Sequence, residues 1–389
     1  MTTRGGGACL GYACRWIMPE MSAIDRLLAS PPFGLDDRQK APLFLAAMRE
    51  AFVHHLASCA PFHRVADVQG FRSAADLDDL ARAPFLPVSL FKRFELVSVP
   101  PAEIRSVLRS SATSGDPSTI AIDAVTATRQ AVVSARTIAE FIGHERRPFL
   151  VADEEPAVER TRTIPARLAA ARGFTAFATS IDHLLRRPAE GAVPDFDFMV
   201  STFEARERAA APVTVFGLTF MLHHEVVRPL LSRGLAFRLP AGSSVAHIGG
   251  WKRLELARVD RARFVDDVCA VFGVAGERVF DFYGFTEQMG LVYGGAGLEP
   301  KVVPAYAEVL VRDPRTLAPA PDGAPGLLQV LTPLPHSHPG VSVLTDDIAR
   351  IVSRGSSDSG RCGTRFELLG RVEGAEPRGC GDLAPPDGH

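Results

Sequence analysis

Two short segments far apart in the chain hold residue types suited to nucleotide chemistry. Ser110-Ser111-Ala112-Thr113-Ser114-Gly115-Asp116-Pro117-Ser118 crowds hydroxyls around one glycine. Such a loop can wrap a polyphosphate, because hydroxyls and exposed backbone N–H groups both donate to phosphate oxygens. It is not a Walker A loop, since no Gly-Lys-Ser/Thr follows. Asp281-Phe282-Tyr283-Gly284-Phe285-Thr286-Glu287 ends a strand-like stretch, and open α/β sheets bind ligands at the carboxyl ends of strands. Tyr283 offers a flat face to adenine, and Glu287 is a hard oxygen ligand suited to Mg²⁺. Taken alone, the first reads equally as a polar turn and the second as a strand exit with a solvated glutamate. Together, in this order, they point to activation of a carboxylic acid by ATP.

Two further segments fit the same chemistry. Thr345-Asp346-Asp347 places a carboxylate where a strand is expected to end, able to accept both hydroxyls of a ribose. His247-Ile248-Gly249-Gly250-Trp251-Lys252 puts two glycines after a strand, so that backbone can approach a flat base closely. The only lysines are Lys40, Lys92, Lys252 and Lys301, which lends weight to Lys252 as a phosphate cation. His336-Ser337-His338 lies between prolines with no third ligand and reads as a loop. His223-His224 on a helix lines a channel or covers the core. No G-x-S-x-G elbow exists, which argues against a serine hydrolase. Cys269 reads as core and Cys362 as part of a glycine-rich turn. Cys380 is flanked by Gly379 and Gly381, with Arg378 near enough to favour a thiolate.

These residues need a scaffold, and the pattern supplies one. Stretches suited to strands and helices alternate from Val107 to Tyr283: strand-like at 148–152, 174–179, 213–216, 244–248 and 278–283, helical at 124–141, 164–171, 204–210, 218–231 and 261–272. Alternation of this kind indicates an α/β fold. A further helix is expected over Leu43–Leu56. Beyond residue 290, short strands separated by Pro and Gly (306–311, 326–332, 341–344, 348–352 and 364–369) read as an antiparallel, barrel-like section. With 389 residues the chain can bury a large core, and its formal net charge of -2 favours neither nucleic acid nor an anionic membrane. No apolar run approaches the ~20 residues of a membrane span. The six cysteines show no zinc-ribbon spacing, and a reducing cytoplasm is expected. Residues 1–20 are expected to form a disordered extension.

As a set, the segments resemble the adenylate-forming superfamily of acyl-CoA synthetases and peptide-synthetase adenylation domains, over roughly residues 85–380. Within it, Gly249-Gly250-Trp251-Lys252, Leu334-Pro335-His336-Ser337-His338-Pro339-Gly340 and Arg378-Gly379-Cys380 resemble the acyl-protein synthetases, the fatty-acid–protein ligases of bacterial luminescence systems. The resemblance implies a large N-terminal adenylate-forming domain with stacked mixed sheets (residues 21–368), then a hinge and short tail (369–389) in place of a lid. It implies that Ser110, Ser111, Thr113, Ser114 and Gly115 embrace the phosphates and that Gly249, Gly250, Tyr283 and Gly284 enclose adenine. Asp281 would accept from the adenine amino group, Thr286 would touch the α-phosphate and Glu287 would bind Mg²⁺. Asp347 would hold the ribose, Arg371 would sit at the hinge and Cys380 would be the acyl acceptor.

The expected reaction makes acyl-AMP from a fatty acid and ATP, then passes the acyl group through Cys380 to a partner, an acyl reductase or carrier protein. Two features depart from the superfamily: Asp116 adds negative charge to the phosphate loop, and no lysine follows Lys301. The adenylation cation is therefore expected from Lys252, an arginine or a partner. Two rival readings remain at this point. One is an acyl- or aryl-CoA ligase of the phenylacetate–CoA ligase kind; the other is a non-catalytic subunit that binds nucleotide or an acyl carrier. Phe216, Leu218, Phe220 and Met221 are candidates for an acyl pocket or for core.

Overall fold

A computed structural model of the chain describes residues 21–110, 117–156, 163–186, 194–251, 258–355 and 360–372. Its strands, in chain order, are β1 (Leu86–Pro87), β2 (Ser106–Arg109), β3 (Thr119–Ile122), β4 (Arg147–Ala152), β5 (Thr163–Pro165), β6 (Ala178–His183), β7 (Thr214–Leu218) and β8 (Ser244–Ile248). They continue with β9 (Val279–Tyr283), β10 (Tyr293–Ala296), β11 (Lys301–Val302), β12 (Glu308–Arg312), β13 (Gly326–Leu331), β14 (Ser342–Ser353) and β15 (Arg365–Arg371). One large mixed sheet runs β12-β13-β14-β15-β11-β10-β9-β8-β7-β4-β6, with β1 beside β14, and β3-β2-β5 form a small second sheet.

Every residue of β7 and β8 is buried. Strands covered on both faces are the mark of a parallel sheet between helices, and β6, β4, β7, β8 and β9 pair in parallel. Three of the helices that flank these strands start at side-chain caps: Asp123 accepts from Thr126 N, Asp195 from Phe198 N and Asp260 from Arg263 N. The order reverses at β9, which pairs in parallel with β8 and antiparallel with β10. From there β10 to β15 pair antiparallel, as the Pro- and Gly-punctuated pattern predicted, with β1 alone running parallel beside β14. Its inner face and the long helix Asp37–Ser58 share a second core around Phe44, Phe52, Tyr306 and Phe366.

Three local expectations change. Phe174 lies in the helix Ala166–Thr175, not a strand, where it stacks on Phe216. The two strands expected at 341–344 and 348–352 are one, β14, with a register shift between Ile348 and Ala349. The helix from Thr219 to Ser232 contains a π-helical stretch, Leu222–Val227, a distortion often found near functional sites.

The helix Ala124–Ile142 crosses β10 where the strand reads Tyr293-Gly294-Gly295. A Cβ on Gly294 would lie 2.5 Å from the Phe141 ring. Gly294→Ala should therefore cost about 1–3 kcal/mol through overpacking. A melting temperature equal to wild type would show that the helix can shift at no cost.

Candidate functional site

The carboxyl ends of β8 and β9 open into one cavity of about 820 Å³. Its walls bring together Ser110 at the end of β2, Gly249 and Gly250 after β8, and Asp281, Tyr283, Gly284, Thr286 and Glu287 on and after β9. Asp346 and Asp347 from β14, and Gly370 and Arg371 from β15, complete the wall. The segments singled out in the sequence thus meet around a single space. Ser111, Thr113, Ser114, Gly115, Lys252 and Cys380 lie outside the described residues.

Gly249 has φ +86°, a backbone that favours glycine. Its carbonyl accepts from Thr219 Oγ1 at 2.7 Å, and Thr219 Oγ1 accepts in turn from His247 Nδ1 at 2.9 Å. Burial holds His247 down to about 4, against the opposing pull of Asp281, so the ring is neutral at pH 7.

The paired aspartates do not end a strand as expected; they sit within β14, opposite Arg371 of β15. Tyr283 Oη donates to Asp347 Oδ2 at 2.7 Å, and Arg371 Nε stands 3.2 Å from Asp347 Oδ1. Arg371 also pairs with Asp346 at 3.5 Å. Burial, then the charge of Asp347, pushes the Tyr283 phenol well above its ordinary range, so it stays a donor.

Glu287 is buried on the 3₁₀ turn Thr286–Gln288. Ser118 Oγ donates to Glu287 Oε1 at 2.7 Å. Ser118 also closes the neck of the hydroxyl loop: its N–H donates to Ser110 Oγ at 2.8 Å, and its carbonyl accepts from Ser110 N at 3.0 Å. Behind the turn lies the His336–Gly340 loop, read in the sequence as a loop and as part of the acyl-protein synthetase resemblance, with no contact to Glu287 foreseen. His338 Nε2–H donates to the Glu287 carbonyl at 3.0 Å, and Gln288 Nε2 donates to Gly340 O at 2.8 Å. His336 Nδ1 meets Asp123 at 2.7 Å and stacks on His54, while His55 reaches Pro335 O and Ser98. This loop braces Glu287 from below.

Two residues were missed in the sequence. Ser118 stands in the quoted loop, but its reach to Glu287 spans two sheets. Lys301, noted only as the last lysine, lines the cavity and ion-pairs with Asp281. Burial would raise the Asp281 carboxyl, but Lys301, His247 and Arg261 together hold it below its usual value.

An apolar cavity of about 340 Å³ adjoins the first and shares Ile248, Gly284 and Phe285 with it. Leu108, Ile122, Ile164, Phe174 and Leu291 line it. Phe216, Leu218, Phe220 and Met221 do not; they belong to the first core or pack against it.

Burial holds the His338 ring down to about 4, against ~6.5 in an unfolded chain. Between those values the unfolded state binds more protons, so the stability this group contributes above pH 6.5 is lost as pH falls toward 4. His338→Gln, which keeps an N–H donor and cannot titrate, should flatten the decline of melting temperature between pH 7 and 5. An unchanged slope would show that His338 does not couple to folding in this range.

Comparison with known proteins supports the same picture. The chain is 23% identical over 311 residues to a long-chain-fatty-acid–luciferin-component ligase of Vibrio harveyi, covering 78% of each chain. It superposes on 2-hydroxyisobutyryl-CoA ligase in an open conformation with 2-HIB-AMP and CoA, with TM-score 0.66 and 16% identity, over 92% of this chain and 80% of that one. The same ligase in its thioesterification state gives 0.66 at 15% identity, over 88% and 70%. These structural matches establish the adenylate-forming ligase fold. The family model for acyl-protein synthetase, LuxE, matches residues 17–385, and the chain belongs to that family.

Proposed function

We propose that this AMP-forming ligase activates a fatty acid as acyl-AMP and then transfers the acyl group to a thiol, that of Cys380, for delivery to an acyl reductase or carrier protein. The observation that carries the reading is the adjacency of two cavities that share Ile248, Gly284 and Phe285 as lining: one bearing the polar side chains of Tyr283, Glu287 and Asp347, and a smaller apolar one. Adenine lies along Tyr283 beside Gly249 and Gly250, and the ribose bonds Asp347. Glu287 is the residue that would hold Mg²⁺, a fit supported by a buried carboxylate at a cavity wall. When bound, Mg²⁺ supplies charge neutralisation at the phosphate oxygens.

A carboxylate is a poor electrophile, so activation must precede transfer. One carboxylate oxygen bonds the α-phosphorus of ATP while the bond from that phosphorus to the pyrophosphate oxygen breaks. Thr286 and the hydroxyl loop stabilise the charge spreading over the phosphate. A thiolate then attacks the acyl carbon and AMP departs with the bonding electrons. Gly284 stands where the two cavities meet: a Cβ there would lie 3.1 Å from Leu291 O. A cavity of ~150 Å³ accepts benzene, so 340 Å³ accommodates about a dozen carbons.

Two experiments test this reading. Cys380→Ser should keep acid-dependent ATP–pyrophosphate exchange and lose covalent labelling by radioactive fatty acid. Retained labelling would exclude Cys380, and rapid release of acyl-CoA would select the CoA-ligase reading. Failure of every acid to stimulate exchange, with ATP still bound, would instead indicate a non-catalytic subunit. Ala169→Phe, which fills the apolar cavity, should shift the preferred acid to shorter chains by about tenfold or more in kcat/KM, since each lost methylene contact contributes about 0.8 kcal/mol. An unchanged chain-length profile would place the acyl chain elsewhere.

A further inference from the structure

The adenine end of the cavity holds a charged pair that the reaction does not require. The strand registers set Asp281 opposite Gly295, and Gly294 opposite Val302. One residue along, Gly295 faces Lys301. Asp281, Gly295 and Lys301 therefore form a row across β9, β10 and β11. Gly295 contributes no side chain to that row, so Lys301 reaches across it to Asp281. Both residues line the cavity. The Lys301 side chain is only 6% exposed.

A buried ion pair is weak evidence for stability, because loss of hydration offsets most of its attraction. Its placement on a ligand cavity suggests another use. An ammonium has three donors, and Asp281 takes one. A carboxylate has acceptor sites beyond the one Lys301 occupies. Side by side they present an acceptor and a donor in one row. Adenine carries the complement: a donating amino group flanked by accepting ring nitrogens. His247 is neutral and makes its short contact to Thr219, 2.9 Å away, while standing 3.8 Å from Asp281. Arg261 stands 3.7 Å from Asp281 with its guanidinium bonded to the Glu299 carbonyl at 2.6 Å. Lys301 is thus the cation in closest contact with this carboxylate.

We infer that Lys301 is a base-selecting residue, donating to a ring nitrogen of adenine beside the amino group that Asp281 accepts from. The inference rests on ATP being the nucleotide bound in this cavity. It also separates Lys301 from the adenylation step: Lys301 lies in the Asp281 row, two positions back along β9 from Tyr283, whereas Glu287 lies four residues beyond Tyr283.

Calorimetric titration of the full chain with ATP, 7-deaza-ATP and 1-deaza-ATP, each with Mg²⁺ and no acid, tests it. Wild type should bind ATP and lose about 10- to 100-fold with one deaza analogue, as expected for a charge-assisted hydrogen bond. Lys301→Met should weaken ATP by a similar factor and become indifferent to that same nitrogen. Should Lys301→Met not fold, Lys301→Arg and the charge-balanced double variant Asp281→Asn/Lys301→Met supply the same comparison. Equal weakening of ATP and both analogues, or unchanged ATP affinity, would overturn the role of Lys301 while leaving ATP binding intact. A wild type that binds none of the three nucleotides would remove the ATP reading and this inference together.

Discussion

A buried carboxylate must find donors, and in this protein that requirement ties the site together. Glu287 sits inside the molecule on a turn that follows β9 of the large sheet. An ionised group so placed costs several kcal/mol unless it is hydrogen-bonded or paired. Ser118 meets part of the need from the other sheet. The same serine clasps Ser110 through both its N–H and its carbonyl. Ser110 and Ser118, at the two ends of the hydroxyl loop, are thereby tied to this carboxylate. His338 fixes the backbone of Glu287 from the opposite side. Ser110 and Ser118, the acidic turn and the histidine loop, distant in sequence, become one hydrogen-bonded unit.

The buried histidines of this unit act as neutral donors and acceptors. A charged His338 would face the same loss of hydration as Glu287, and its ring is held down to about 4. His55 is buried among His54, His336 and His338, and its ring too is pushed well below the ordinary value, first by burial. Neutral imidazole can bond on both edges without bringing net charge into the protein. His55 uses both: Nε2–H donates to Pro335 O and Nδ1 accepts from Ser98. The polar groups of the Pro-rich loop are in this way largely satisfied inside the protein.

How much of this was legible depends on how local each signal was. The parallel half of the sheet could be read because β7 and β8 are short, mostly apolar stretches that alternate with helical ones. Tyr283 and Glu287 could be placed at a strand end because β9 is itself a recognisable strand. The merging of two expected strands into β14 was hidden, since Thr345-Asp346-Asp347 has turn-like composition and only pairing with β13 and β15 keeps it extended. Phe174 looked like strand because it is aromatic; its packing on Phe216 and Phe282 decided otherwise. Lys301 could not be recognised, because its pairing with Asp281 arises from the register of three neighbouring strands.

The same register explains why a site of this kind forms where the sheet changes direction. Strands β8 and β9 run in parallel, so Gly249 and Tyr283 emerge at the same edge. Beyond β9 the strands alternate, and β14 and β15 pair antiparallel, so Asp347 and Arg371 come to face that edge from within their strands. Tyr283 joins the halves through its bond to Asp347. A ribose that takes over this carboxylate must compete with the tyrosine and with Arg371. Any ligand bound at Asp347 would therefore act on the link between β9 and β14, and through Arg371 on the end of β15, the last strand described.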